Sequence, residues 1–322
     1  MKDLCGRNID YIRISITDRC NLRCRYCMPE EGVELMSHDE ILTYQEILRI
    51  CRAGAGLGIT KVKVTGGEPL VRKGVEIFVK ELTGIPGIED VTMTSNGWLL
   101  KEKAAALKEA GLSCVNVSLD TLDPVRFAEI TRRDVFASVM EGIESARAAE
   151  LKVKINCAVM EDLTEEEVLA FSRFSMEKAV PVRFIEMMPI GQGSNYKALD
   201  NDRLSAILKE TYGGLREDHR IKGNGPAVYY TWGDGTGSIG FISALHHKFC
   251  SSCNRVRLTS DGYLKLCLDS SLGVDLKGPM RQGISDEELY GLMKEWIKKK
   301  PESHHFEEKR RKSELNMNQI GG

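Results

Sequence analysis

Between residues 9 and 188 the chain alternates short β-rich runs with polar or glycine turns, each followed by a longer stretch whose apolar residues recur at helical spacing. The pattern predicts strands at Tyr11–Ile16, Lys61–Val64, Asp90–Thr94, Cys114–Leu119, Val153–Val159 and Val182–Met187. It predicts helices at Tyr44–Gly56, Val75–Thr83, Leu99–Ala110, Phe136–Glu150 and Glu165–Lys178, the last capped by Thr164 ahead of an acidic first turn. A repeated strand–helix unit implies a parallel sheet with helices on its outer side. The unusual polar residues all gather at the predicted carboxyl ends: Cys20 to Cys27 after the first strand, Gly66 to Pro69 after the second, Thr94 to Gly97 after the third. Ser118 to Asp120, Asn156, and Met187 to Pro189 follow on the last three. A site spread over six strands, rather than at one switch point, favours an incomplete (β/α)6 TIM-like barrel over a doubly wound sheet. From residue 189 the texture changes to glycine-rich stretches and shorter β-like pieces. The expected organisation is therefore a partial barrel over 1–188 and a C-terminal α+β segment over 189–322 that closes the lateral opening.

Composition narrows the class without naming a chemistry. A length of 322 residues allows one large α/β domain with an appendage or two ordinary domains, and a net charge of −2 argues against a dedicated nucleic-acid or membrane-surface binder. Anion binding would have to be local. No apolar run is long enough to span a bilayer, so neither membrane nor nucleic acid is expected as a partner. Ten cysteines behind an N-terminus that lacks an apolar signal core point to a reducing compartment, the cytoplasm.

Six of those cysteines form two triplets. Cys20, Cys24 and Cys27 are spaced x3 and x2, with Tyr26 before the last; Cys250, Cys253 and Cys267 are spaced x2 and x13. A [4Fe–4S] cube held by three thiolates leaves one iron open to a non-protein ligand, which makes it reactive rather than merely conductive. For the first triplet the alternatives are zinc or inert buried thiols; for the second, zinc with His246 or His247 as fourth ligand. Cys5, Cys51, Cys114 and Cys157 read as packed thiols. Arg255 and Arg257 alternate on one strand and so share a face, suited to forked hydrogen bonds with phosphate. The Lys298–Lys300 and Lys309–Lys312 runs read as a solvated arm.

The run CNLRCRYC, Cys20 to Cys27, resembles the cluster motif of radical S-adenosylmethionine (SAM) enzymes, and TGGEPLVR, Thr65 to Arg72, resembles their SAM-amino-group motif. The second triplet enclosing Asn254 to Leu258, and the ending Gln319-Ile320-Gly321-Gly322, resemble the GTP 3′,8-cyclase family of molybdenum cofactor biosynthesis. This resemblance implies two [4Fe–4S] clusters and SAM as cofactors. The first cluster would release a 5′-deoxyadenosyl radical that takes hydrogen from C3′ of GTP, after which C3′ attacks C8 to give (8S)-3′,8-cyclo-7,8-dihydroguanosine 5′-triphosphate. It further implies Tyr26, Gly67, Ser118 and Met188 as SAM contacts, with Gly66 and Gly67 allowing close backbone approach and Glu68-Pro69 near the SAM ammonium. Arg13, Lys63, Thr94, Lys154, Arg255 and Arg257 would bind substrate, and the second cluster's open iron would take the guanine. The tail, Gly321 and Gly322, would enter the active site. Lys63 departs from the resemblance, which places Arg there, and lacks the planar fork; a barrel lysine paired with a carboxylate is its alternative role. As partners the resemblance implies an unidentified electron donor, a downstream cyclic pyranopterin monophosphate synthase in the pathway, and a homodimer.

Overall fold

The computed structural model describes residues 1–220, 223–306 and 316–321. Its first half repeats strand and helix: β1 (Tyr11–Ser15), α1 (Tyr44–Gly56), β2 (Lys61–Thr65), α2 (Val75–Thr83), β3 (Asp90–Ser95), α3 (Leu100–Glu109) and β4 (Cys114–Ser118). Then come α4 (Pro124–Thr131), α5 (Phe136–Ala148), β5 (Lys152–Val159), α6 (Glu165–Lys178) and β6 (Val182–Glu186). Capping residues set several starts: Thr43 and Thr164 each form a reciprocal capping box with the glutamate three positions on, and Asp123 ahead of Pro124 starts α4. The remainder comprises α7 (Asn201–Tyr212), β7 (Arg216–Glu217), β8 (Val228–Thr231), β9 (Ile239–Ile242), β10 (Arg255–Leu258), β11 (Tyr263–Lys265) and β12 (Gly273–Asp275). It ends with α8 (Lys277–Arg281), α9 (Asp286–Lys298) and α10 (Met317–Ile320).

Among the described residues the twelve strands join one sheet in the order β12-β11-β10-β1-β2-β3-β4-β5-β6-β9-β8-β7. The six strands β1 to β6 run parallel, as the repeat predicts, and the sheet is not closed into a full barrel. The later strands attach to both flanks: β10 pairs parallel with β1, and β9 pairs parallel with β6. Consecutive in sequence, β9 and β10 lie at opposite ends of the six-strand array, so residues 243–254 must cross the lateral opening. Twelve residues at about 3.4 Å each reach at most ~40 Å, enough to join the two flanks, which lie seven strand spacings apart along the sheet.

Burial alternates along the strands. In β5 Val153, Ile155, Cys157 and Val159 are buried against the helices, while Lys154, Asn156 and Ala158 point to the inner face. The outer layer, with Phe78, Phe127, Phe171 and Phe184 among its largest buried side chains, forms a continuous core with the helices. The inner face instead lines a cavity of about 620 Å³ reached from β1 to β6 and from both flanking strands. A fully packed barrel interior would leave no such room.

Candidate active site

The first cysteine triplet sits on the loop leaving β1, and all three thiols line the cavity. Cys27 N–H donates to Cys24 O at 2.9 Å, tightening the turn, and Leu22 N–H points at Cys20 Sγ at 3.4 Å. Burial pushes the Cys20 thiol up to about 11 and the Cys27 thiol up to about 12, with Glu68 and Cys20 respectively adding repulsion; Cys24 rises as well, from burial and then from its neighbour Cys27. Buried thiolates that repel one another gain most from a shared cationic centre.

The turn after β2 braces this loop. A Cβ on Gly66 would lie 2.8 Å from Thr17 O, and one on Gly67 only 2.4 Å from Arg19 O. Gly67 N–H donates to Thr17 O at 2.7 Å and Glu68 N–H to Arg19 O at 2.8 Å. The two glycines thus admit the cluster loop's own backbone, as well as bordering the cavity. The Glu68 carboxylate accepts from Asn96 N at 2.6 Å, Leu70 N at 2.9 Å and Ser95 Oγ at 2.9 Å. Its oxygens tie β2 to β3, so its place is as a strut, with burial lifting it to about 7. Tyr26 Oη donates to Asp120 Oδ2 at 2.7 Å, and Asp120 Oδ1 accepts from Ala158 N at 2.8 Å. Ser118 and Met188 border the same cavity.

Farther along, cations line up. Arg13 on β1 lies in register with Arg257 on β10 and with Lys63 on β2. Arg255 shares the inner face with Arg257, its guanidinium 5.4 Å from the Phe249 ring centroid and 5.8 Å from that of Tyr11. Burial, then repulsion from Arg13 and Arg255, lowers Arg257 to about 9; burial, then Arg183 and Arg13, holds Lys63 well below its ordinary range. The charges acting on Lys63 are mainly cationic, from Arg183, Arg13 and Lys154. Lys154 stands in a row with Asn116 and Thr94, its ammonium 5.6 Å from the Tyr229 ring centroid. All six predicted substrate residues, Arg13, Lys63, Thr94, Lys154, Arg255 and Arg257, face one cavity. So dense a group of buried cations suits a polyanion.

The second triplet also borders this cavity: Cys250 and Cys253 on the 243–254 crossing, Cys267 just past β11. Burial alone would raise the Cys253 thiol, but Lys300 and Arg255 outweigh it and hold it below the usual range. The two histidines considered as zinc ligands are engaged elsewhere. His246 Nδ1 meets Glu186 Oε1 at 2.9 Å and His247 Nε2 meets Asp202 Oδ2 at 3.0 Å.

The tail joins the two regions. Asn318 Nδ2 donates to Asp18 O at 3.0 Å, its backbone N–H reaches the Cys27 sulfur, and Arg257 Nη1 donates to Gly321 O at 2.8 Å. Gly321 has φ +85°, and a Cβ there would lie 2.6 Å from Thr65 Oγ1. Gly322 and Lys309–Lys312 lie outside the described residues.

Several site residues escape sequence reasoning. Arg183, on β6 one residue after its start, donates to Asn116 Oδ1 at 2.7 Å and lines the cavity. Its place between Val182 and Phe184 was the available signal. Lys300, read as part of a solvated arm, is buried at 4% exposure, because the turn after α9 folds back onto the second triplet.

Two family models match the chain: the Radical SAM superfamily over residues 14–175 and Molybdenum Cofactor Synthesis C over residues 180–306. Curated relatives include GTP 3′,8-cyclase of Clostridium perfringens (strain 13 / Type A), 44% identical with all of both chains covered. The same name belongs to a relative from Pelotomaculum thermopropionicum, 46% identical with all of both chains covered. A third from Thermodesulfovibrio yellowstonii is 47% identical over 94% of this chain and 95% of its own. Among solved structures, Streptococcus suis SuiB bound to precursor peptide SuiA superposes with a TM-score of 0.64 at 16% identity, covering 96% of this chain and 74% of that one. SuiB bound to S-adenosylmethionine gives 0.61 at 16% identity, with 88% and 67% covered; both likenesses concern the fold.

Proposed function

This chain belongs to the GTP 3′,8-cyclase family of the radical SAM superfamily, and from that premise we propose how its residues carry out the reaction. The enzyme converts GTP to (8S)-3′,8-cyclo-7,8-dihydroguanosine 5′-triphosphate, a step of molybdenum cofactor biosynthesis, using a [4Fe–4S] cluster and SAM. When bound, that pair supplies a 5′-deoxyadenosyl radical able to take the C3′ hydrogen of GTP, with closure on C8 completed by one electron and one proton.

Cys20, Cys24 and Cys27 hold the radical-generating cluster, and Tyr26, Gly67, Ser118 and Met188 bound the SAM end. Arg255, Arg257, Arg13 and Lys63 clamp the triphosphate, while Thr94 and Lys154 bound the substrate beyond it. Cys250, Cys253 and Cys267 hold a second [4Fe–4S] cluster against the guanine, and the tail through Gly321 and Gly322 shields the gap between the ligands. The observation that carries this reading is the row Lys63–Arg13–Arg257 set in register across three strands, in one cavity with both cysteine triplets. A shared enclosure keeps water and quenching groups from a radical. Residues 1–188 act as the radical SAM partial barrel, and residues 189–322 as the C-terminal segment that brings the second cluster and the Gly-Gly tail. Among the described residues no helix is long and apolar enough to cross a membrane. A reducing, cytoplasmic setting is part of the proposal, since six cysteines are assigned as thiolate ligands. A separate electron donor, a downstream cyclic pyranopterin monophosphate synthase in the pathway and a homodimer complete the proposal on the family resemblance.

The test is anaerobic reconstitution with iron and sulfide, followed by reductant, SAM and GTP. About eight irons and GTP-dependent cyclised product support the two-cluster cyclase. About four irons, with SAM cleaved and GTP unchanged, would overturn it. In the same assay Arg255→Ala and Arg257→Ala should each lower cyclisation at least ~100-fold, the loss of a charge-assisted phosphate contact or two, while SAM cleavage without GTP persists. Wild-type turnover in either variant would remove the clamp.

A further inference from the structure

Arg7 lies outside every motif and is buried, ion-paired to Asp3 at 2.7 Å. Its guanidinium donates to Cys250 O at 2.9 Å, Pro301 O at 2.7 Å, Glu302 O at 2.8 Å and Lys300 O at 3.2 Å. One side chain thereby fixes the first turn of the second triplet to the segment that follows α9. That segment delivers Lys300, whose Nζ donates to Leu266 O at 2.6 Å, one residue before Cys267, and reaches the Cys253 sulfur. Each cysteine of the triplet is therefore touched, directly or through its neighbour's carbonyl, by this pair of cations.

Resting on the reading of Cys250, Cys253 and Cys267 as cluster ligands, we propose that Lys300 is a positioning residue for that centre, held by Arg7 so that a fixed ammonium lies against the Cys253 thiolate and sets the centre's reduction potential. A buried positive charge beside a thiolate ligand favours the reduced, more negative cluster, and hydrogen bonds to cluster sulfurs act in the same direction. Lys300 has little other reason to be buried, since an ammonium at this depth costs more than it returns unless it meets an anion.

The experiment uses the full chain carrying Cys20→Ala, Cys24→Ala and Cys27→Ala, reconstituted anaerobically so that only the second centre contributes. Iron and sulfide are counted and the midpoint potential is read by redox titration with electron paramagnetic resonance detection. Lys300→Met is expected to keep the iron and shift the midpoint to a more negative potential, Lys300→Arg to restore most of it, and Arg7→Lys to give part of the shift. If Lys300→Met loses iron while Lys300→Arg retains it, the positioning role also stands. An unchanged midpoint in Lys300→Met at full iron content overturns it, as does equal iron loss in both Lys300 variants. If the chain with an intact Lys300 binds no iron, or a single zinc, the cluster reading of the second triplet falls, and this proposal with it.

Discussion

Asp120 is a carboxylic acid placed where ionisation is costly: burial lifts it from 3.8 to about 6, against the partial relief of the Tyr26 and Ala158 hydrogen bonds. Between those values the native protein holds a proton that the unfolded chain has released. The associated stability is complete below about pH 4 and is lost as pH rises through about 6, amounting to ~3 kcal/mol. Asp120→Asn keeps an acceptor for Ala158 N–H and a polar partner for Tyr26, so it should flatten that part of the profile. Denaturant unfolding of the cluster-free protein from pH 4 to 7 would show this; an unaltered slope would assign the dependence elsewhere. At this scale the sequence exposed the residues whose type is rare at their position, the six cysteines above all. It concealed Arg183 and Lys300, since an arginine and a lysine are ordinary on a surface and become informative only when burial is known. Lys63 was legible as a departure, but its cationic neighbours come from β1, β5 and β6 and could not be counted from its own strand.

Elements were read well where periodicity was long. Tyr44–Gly56, Val75–Thr83 and Glu165–Lys178 appear with the expected bounds, and the six strands begin or end within one residue of expectation. The short α4 was passed over although Asp123-Pro124 announces a helix start, because eight residues carry too little periodic signal. Parallel pairing of β9 with β6 and of β10 with β1 was not legible either, since both strands span only four residues and their partners are remote in sequence. The turn at Gly66-Gly67 was recognised for a ligand's sake, whereas its tightest contacts are with Thr17 and Arg19 of the cluster loop. Gly67→Ala should therefore displace that loop and halve the iron of the reconstituted enzyme, leaving the second centre. Iron analysis with Mössbauer spectroscopy tests this, and a full complement of iron would mean the loop yields at little cost.

For the molecule as a whole, the C-terminal half extends both flanks of the SAM half and supplies the segment across its opening. The tail reaches into the interior, where Arg257 Nη1 donates to Gly321 O and Asn318 Nδ2 to Asp18 O. Gly321→Ala meets both a positive φ and Thr65 Oγ1 at 2.6 Å, so it should release the tail at ~1–3 kcal/mol of strain and lower cyclisation roughly tenfold or more. Iron content should be unaltered. Full activity in this variant would show that the tail's seat is dispensable. The arrangement also sets a timetable for biosynthesis. β1 is among the first segments to leave the ribosome, yet one of its two edges is completed only by β10, some 240 residues later. At ~5–20 residues per second that edge waits roughly 10–50 s, with unpaired amides and carbonyls that invite pairing with another chain. The strand that bears Arg13, and leads into the first cysteine loop, is thus the growing polypeptide's longest-lived hazard, so slow translation or scarce chaperones would reduce the yield of this enzyme before any iron reaches it.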